Sequence, residues 1–465
     1  MPAAKVASLT GPAIPISGIS GIGWPAIPQR GNAVLFALLQ QLEESQWWPY
    51  ETLLEQQLRQ LERVLAYAAR HVPFYAERLK VLRGVPRGGL TLEAFRQIPL
   101  LKRSDIQDAG DALVSRNIPA DHKPVGEVRT SGSTGRPITV KGTAITQMML
   151  RANNLRYHRW FKRDFTRKVA AIRLLKGAQL KAAAADKAMG WADAYPSGPM
   201  VLRHITTPLS EQLDWLLKED PDYLLTFPSN LMALVQRSRE LGVKPKKLSQ
   251  AITLGEVLDP SVREACTAGW GVPVADAYSS EEFGMIAVQC PDHPEHHYHV
   301  QAESVLLEIL DDTGLPCRPG QIGRMVVTSL NNYATPLIRY AIGDMIEAGA
   351  ACSCGRGLPM IARILGRTRN MLHLPSGEQI CPRFKFEDFT YRFRIRQFQV
   401  IQESVEQLTL RLVVDRALTA EQERGIAQML VASATHPFRV RFEYVPEIPR
   451  AVSGKFEEFR SEVAA

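Results

Sequence analysis

No stretch of this chain offers the roughly 18 uninterrupted apolar residues that a spanning helix needs. The apolar N-terminal run, 13–28, is broken repeatedly by proline and glycine. It fits neither a signal-peptide helix nor an anchor, so residues 1–33 are expected to form a loosely ordered arm of a cytoplasmic protein. Dense basic blocks are missing as well. The 56 Lys and Arg against 48 Asp and Glu are spread along the sequence, which argues against a nucleic-acid tail. Small clusters at Lys162, Arg163, Arg167 and Lys168, and at Lys244, Lys246 and Lys247, read as solvated faces, with an anionic ligand as the alternative. Cysteine is scarce, six residues in 465, and does not make a disulfide scaffold. Four of the six fall between Cys290 and Cys354, a grouping that suggests metal.

What the chain does contain is a loop with almost nothing to fill a core, Thr130-Ser-Gly-Ser-Thr-Gly-Arg-Pro137. Gly132 and Gly135 allow backbone angles through which successive N–H groups converge on one point, and Thr130, Ser131, Ser133 and Thr134 add hydroxyl donors. Such a concavity suits a phosphate chain. The loop has no Lys-Ser or Lys-Thr pair to make it a P-loop and no GxGxxG spacing, and an ordinary surface loop is the alternative.

Around this loop the pattern is α/β. Leu54, Leu58, Leu61, Leu65 and Ala68 recur at helical spacing from Tyr50 until Pro73 stops them. A short helix capped at Ser104 or Asp105 follows. The apolar runs 169–175, 223–227, 251–254 and 272–275 alternate with helical patterns such as 230–241, which predicts a largely parallel sheet covered by helices. After Glu303 the runs 304–310 and 324–330, joined by an Asp-Asp-Thr-Gly turn, predict an antiparallel or β-barrel-like flank. A polar break from Gly366 to Asn370 leads into strands near 398–401, 408–414 and 438–445 and a helix capped by Thr419 with Gln422 three residues on. The expected organisation is a large N-terminal domain, 1–366, and a small, mobile α+β C-terminal domain, 367–465.

Asp276-Ala-Tyr-Ser-Ser-Glu-Glu-Phe-Gly284 follows a strand-like run, which puts its acids at a strand end where ligands of α/β sheets bind. One carboxylate there suffices for magnesium, which draws its other ligands from water and phosphate; a helix N-terminus with well-placed acids is the alternative. Pro336-Leu-Ile-Arg-Tyr-Ala-Ile-Gly-Asp344 ends an apolar strand on an aspartate, a bidentate acceptor suited to ribose hydroxyls. Lys455, in Ser-Gly-Lys, stands on a turn of the small domain. Cys290, Cys352 and Cys354 with one histidine make a closed tetrahedral zinc set, hence a structural one. His299 is chosen by its distance from the strand at Glu303, although His293, His296 and His297 are close, and buried free thiols are the alternative.

In this order the segments resemble the adenylate-forming superfamily of acyl- and aryl-CoA synthetases, peptide-synthetase adenylation domains and luciferases, and within it the phenylacetate–coenzyme A ligase branch. The resemblance covers nearly the whole chain and includes His71-Val-Pro-Phe-Tyr75, Ile98-Pro-Leu-Leu-Lys102, Gly255-Glu256 and Cys352-Ser-Cys-Gly-Arg356. It implies that Thr130 to Gly135 hold the ATP phosphates and that Gly255, Glu256, Asp276 and Tyr278 line the adenine site. It further implies that Glu282 binds Mg2+, that Asp344 takes the ribose hydroxyls with help from Arg367, that Lys455 reaches the forming acyl phosphate and that Arg369 lies at the hinge. Two departures stand out: Arg369 and Asn370 occupy the place of an acidic hinge residue, and Ser279-Ser280 replace a glycine-led run, which leaves the shape of the acyl pocket open. The implied reaction is ATP-dependent activation of an aryl or arylacetic acid to acyl-AMP, followed by transfer to coenzyme A. A carrier-protein thiol or an amine as acceptor, a non-catalytic nucleotide-binding or scaffold role, and a homodimer are the alternatives left open.

Overall fold

This computed structural model describes residues 15–130, 136–185, 187–192, 194–293, 297–367, 371–380, 393, 395–434, 436–451 and 453–463. A hairpin of β1 (Val125–Arg129) and β2 (Thr139–Thr143) flanks the glycine-rich loop. β-rich runs, most of them too short for stable helices, then assemble into one 12-stranded sheet. Its parallel part contains β3 (Val169–Arg173), with β4 (Met189–Gly190) antiparallel at the edge, then β5 (Pro199–His204), β6 (Tyr223–Thr226), β7 (Gln250–Leu254) and β8 (Val274–Ser280). From β9 (Gly284–Gln289) the direction alternates through β10 (Tyr298–Val300), β11 (Val305–Leu310), β12 (Ile322–Ser329), β13 (Tyr340–Ala348) and β14 (Met360–Arg367). The antiparallel flank expected after Glu303 is thus the far half of the same sheet.

Helices Leu209–Glu219, Pro228–Leu241 and Pro260–Trp270 cover the parallel half through a core that includes Leu213, Leu216, Leu231, Leu234, Val235 and Val262. Each of the last two begins on a proline, whose missing N–H costs nothing at that position. The antiparallel half packs on helix Tyr50–His71, which buries Leu53, Gln57, Leu61, Val64, Leu65 and Ala68. Leu54 and Leu58 of the expected stripe pack at its edge. The face is rotated because Gln57 is drawn inward, its amide donating to the carbonyls of Ala302 and Val305 at 2.8 and 3.0 Å. Among the described residues no helix is long and apolar enough to cross a membrane.

Residues 372–459 contribute a separate core, in which helix Ala420–Ala434 lies against a sheet of β17 (Ile395–Ser404), β18 (Gln407–Val414), β19 (Arg439–Tyr444) and β20 (Phe459–Ser461), after the short pair β15 (Leu372–His373) and β16 (Gln379–Ile380). Thr419 and Gln422 exchange the expected capping bonds at 2.9 and 3.3 Å.

Four local readings need correction. The short helix starts at Arg103, and Asp105 caps it from inside the first turn by accepting the Lys102 N–H at 2.9 Å. Asp344 lies within β13 because Arg367, opposite it on β14, neutralises the charge inside the sheet. For the same reason Gly366 and Arg367 close β14 and do not begin the break, whose residues 368–370 lie outside the described set. Within the expected arm, helix Arg30–Ser45 starts at Arg30, and the Gly18 N–H bonds to the Ile27 carbonyl at 2.7 Å.

Candidate active site

The parallel strands β6, β7 and β8 end at one rim, beside the point where the sheet changes to antiparallel, and a cleft of about 2200 Å3 opens there. That is the place where open α/β sheets bind ligands. Thr130, Gly255, Glu256, Asp276, Tyr278, Glu282, Asp344, Arg367 and Lys455 all line it. Ser131 to Gly135 and Arg369 fall outside the described residues.

Lys455 reaches the large domain because two glycines flank one phenyl ring. Gly255, with φ of +85°, follows β7, and a side chain there would begin 3.0 Å from Phe227 and 3.5 Å from Lys455 Cε. Gly454, with φ of +78°, sits on the opposite partner of that contact, so that a Cβ would lie 3.5 Å from Phe227 and 3.1 Å from Ile205. Only glycine combines these angles with so close an approach. Burial, and after it the Arg367 charge, lower the Lys455 pKa, while Asp344, Glu256 and Glu282 oppose them. The lysine therefore faces three carboxylates and one guanidinium.

Asp344 accepts from the Tyr278 hydroxyl on one oxygen and pairs with Arg367 Nε at 3.1 Å on the other. Each oxygen keeps further acceptor capacity, and Asp344 lines the cleft. Glu282, on the turn between β8 and β9, sends its field onto Tyr278, Tyr340, Arg367 and Lys455. Asp276 is tied inward, accepting from Thr253 Oγ1 at 2.6 Å and from the Tyr298 hydroxyl at 2.8 Å, and its burial raises its pKa. Thr130 braces the neck of the glycine-rich loop: its Oγ1 accepts from the Ile138 N–H and from Arg103, both at 3.1 Å.

Glu256, which the resemblance assigns to the adenine site, lines the cleft and also ties the two domains together. Its Oε2 accepts the Ser229 N–H at 3.0 Å, and its Oε1 accepts the Phe456 N–H at 2.6 Å and lies 3.5 Å from Arg450. Arg450 also donates to Ser229 Oγ at 3.0 Å. One carboxylate thus joins the start of helix Pro228–Leu241 to both sides of the Lys455 turn. Sequence reasoning missed Arg103, Arg450 and Phe227, since a single arginine or phenylalanine carries no spacing signal. The quoted motifs without an assigned role interlock away from the cleft: the Tyr75 hydroxyl donates to the Pro336 carbonyl at 2.8 Å, and Arg339 donates to the Ile98 carbonyl at 2.6 Å and pairs with Glu308 at 2.9 Å.

A second constellation forms where β10 meets the loop before β14. The ligand atoms of Cys290, His299, Cys352 and Cys354 all lie within 4.8 Å of one another, with Cys290 and Cys352 sulfurs 3.9 Å apart and Cys354 Sγ 3.3 Å from His299 Nε2. A tetrahedral ion with Zn–S of about 2.3 Å separates its sulfurs by roughly this much. Among the described residues His299 is the histidine that lies with the three cysteines, and His293 and His297 converge on Cys352 only. Arg356 walls the cluster by stacking on Trp47 and Trp160 at 4.8 and 4.4 Å.

Fold and cleft together define an adenylate-forming ligase. The chain is 30% identical over 339 residues to a phenylacetate–coenzyme A ligase of Thermus thermophilus, an alignment that covers 70% of this chain and 72% of the relative. It is 25% identical to a phenylacetate–coenzyme A ligase of Pseudomonas putida over 69% and 72% of the two. Residues 385–461 match the CapK C-terminal domain family. The crystal structure of 2-hydroxyisobutyryl-CoA ligase in its postadenylation state superposes with a TM-score of 0.70 at 19% identity over 87% of this chain and 89% of that one. The chain belongs to the phenylacetate–coenzyme A ligase family.

Proposed function

We propose that the protein is an AMP-forming acid–coenzyme A ligase acting on an aryl or arylacetic acid. The observation that carries this reading is the convergence of Lys455, Asp344 with Arg367 and Tyr278, and Glu282 on one cleft between the large and small domains. At about 2200 Å3 the cleft exceeds the roughly 300–1,000 Å3 usual for one small ligand and has room for an acid and a nucleotide together. In the first half-reaction a carboxylate oxygen of the acid attacks the α-phosphorus of ATP, the bond to pyrophosphate breaks, and acyl-AMP forms. The protein contributes position and charge and no nucleophile. Asp344 takes the ribose hydroxyls on its remaining lone pairs, and Lys455 places positive charge where the bridging oxygen and pyrophosphate gain negative charge. Glu282 is the carboxylate placed to hold Mg2+, which neutralises phosphate charge when bound. In the second half-reaction the thiol sulfur of coenzyme A attacks the acyl carbonyl, AMP leaves, and the thiol proton is released.

Coenzyme A is the acceptor assigned because Arg173 and Lys176 stand on the cleft wall, where they can meet its phosphates. Cys290, His299, Cys352 and Cys354 form the set that fits Zn2+ as a structural ion, which would tie β10 to the loop before β14. A need for ATP and coenzyme A supports a cytoplasmic site of action. A pyrophosphate-exchange assay over a panel of aryl and alkyl acids, followed by mass spectrometry of the thioester, tests the assignment. Acid-dependent exchange and a coenzyme A thioester are expected; exchange with no acid would leave a non-catalytic nucleotide-binding protein.

A further inference from the structure

Away from Lys455 the cleft continues as a chamber between helix Ala144–Trp160 and the sheet, with Leu150, Val169, Met200, Leu225, Ile252 and Met285 on its walls. Among the polar groups that line the cleft beside these apolar walls, two stand on adjacent residues of that helix. Tyr157 is 4% exposed, and among the described residues no hydrogen bond of ordinary geometry reaches its Oη. His158 has its Nδ1 2.9 Å from a terminal nitrogen of Arg163. A guanidinium can only donate, so Nδ1 is the acceptor and the ring hydrogen sits on Nε2. Burial and the Arg163 charge keep the imidazole neutral by holding its pKa well below the usual value. The ring is wedged edge-on against Trp191 at 5.1 Å. Arg163 is itself 5% exposed, fixed to Gln250 at 2.6 Å and laid over the Tyr157 ring at 4.3 Å. The result is a fixed N–H donor beside a buried hydroxyl, next to the apolar part of the cleft wall, with a buried cation behind them.

We propose that His158 and Tyr157 form the far end of the acid-binding chamber and select an aromatic acid that carries an oxygen acceptor, as a hydroxyl, alkoxy or carboxylate group, distal to the carboxyl that is activated. The proposal rests on the acid–coenzyme A ligase reading and narrows its substrate class. A polar donor buried against an alkyl or unsubstituted ring stays unpaired, and sites built to hydrogen-bond a substrate reject analogues that cannot.

Pyrophosphate exchange is measured with phenylacetate and with its 3- and 4-hydroxy, methoxy, carboxy and methyl derivatives. The methyl acids match the others in size without a comparable acceptor. The wild-type protein is expected to use at least one oxygen-bearing acid with kcat/KM about 10- to 100-fold above its methyl counterpart. In His158→Leu that ratio falls below about threefold, and His158→Gln, which keeps an N–H donor, restores part of it. The carboxy arm against the hydroxy and methoxy arms tells whether the acceptor is anionic or neutral. ATP affinity by calorimetry reports whether each variant is folded, and the wild-type ratio stands without any variant. Methyl and oxygen-bearing acids used equally well by the wild type, or a preference intact in His158→Leu, would overturn the proposal. Exchange with none of the acids would instead overturn the ligase reading on which it rests.

Discussion

Glu256 is the most informative residue to change, because its carboxylate reaches both sides of the Lys455 turn at once. In Glu256→Ala the Phe456 N–H loses an acceptor at 2.6 Å and Arg450 loses its counter-ion at 3.5 Å. The glutamate side chain is 8% exposed and that of Arg450 19%, so water replaces these contacts poorly. A hydrogen bond to a charged group contributes about 1.5–3 kcal/mol and a partly exposed ion pair up to about 1 kcal/mol. The arrangement with Lys455 in the cleft should therefore weaken by about 2–4 kcal/mol, which is roughly 30- to 1,000-fold in its population. Adenylation, which needs Lys455, should fall accordingly, while conversion of supplied acyl-AMP and coenzyme A to thioester falls less than about threefold. Glu256→Gln keeps an acceptor for Phe456 and should cost adenylation less than about tenfold. Arg450→Met tests the same contact from the small domain. The two half-reactions are followed separately by mass spectrometry, and the melting temperature controls for the lost cap on Ser229. Equal losses in both halves, or full adenylation by Glu256→Ala, would refute the reasoning.

Lys455→Ala should lose about 10²- to 10³-fold in adenylation while keeping thioester formation from acyl-AMP near normal; equal loss in both would make the lysine structural. Elemental analysis of protein purified without chelator should find about one zinc per chain, and the double variant Cys352→Ser with Cys354→Ser should lose both the ion and thermal stability. Burial, with Glu256 and Asp259 adding to it, raises the Glu458 pKa to about 8 from the ordinary 4.5. Docking of the small domain there takes up a proton, so the docked arrangement is fully favoured below pH 4.5 and weakens by at most about tenfold per unit as pH rises toward 8. Adenylation relative to thioester formation should decline over that range in the wild type and stay flat in Glu458→Gln, as pH profiles of the two half-reactions would show.

Local chemistry along the chain was enough to determine much of this protein. Short β-rich runs between helical patterns gave β3, β6 and β7 nearly at their observed bounds, because period and length are local properties, whereas β8 runs five residues beyond the expected 272–275. Cys352 and Cys354, two residues apart, with a distant cysteine and histidine, pointed through donor chemistry alone to four side chains that the fold brings within 4.8 Å of one another. The order of the motifs announced the family, and every described site residue that it implied borders the cleft. Only the tertiary structure decided which partner each of these groups meets. Asp344 reads as a turn until Arg367 is seen across the strand pair, and Gln57 reads as a solvent residue until the carbonyls of Ala302 and Val305 draw it in. The Glu256 contact spans about 200 residues of sequence, and nothing in Gly255-Glu256 or in Pro449-Arg450 foretells it. The tautomer of His158 likewise depends on one donor that the fold brings to its Nδ1. Spacing encodes which face a side chain takes; the charge or donor waiting at that face comes from another part of the chain and exists only once the chain has folded.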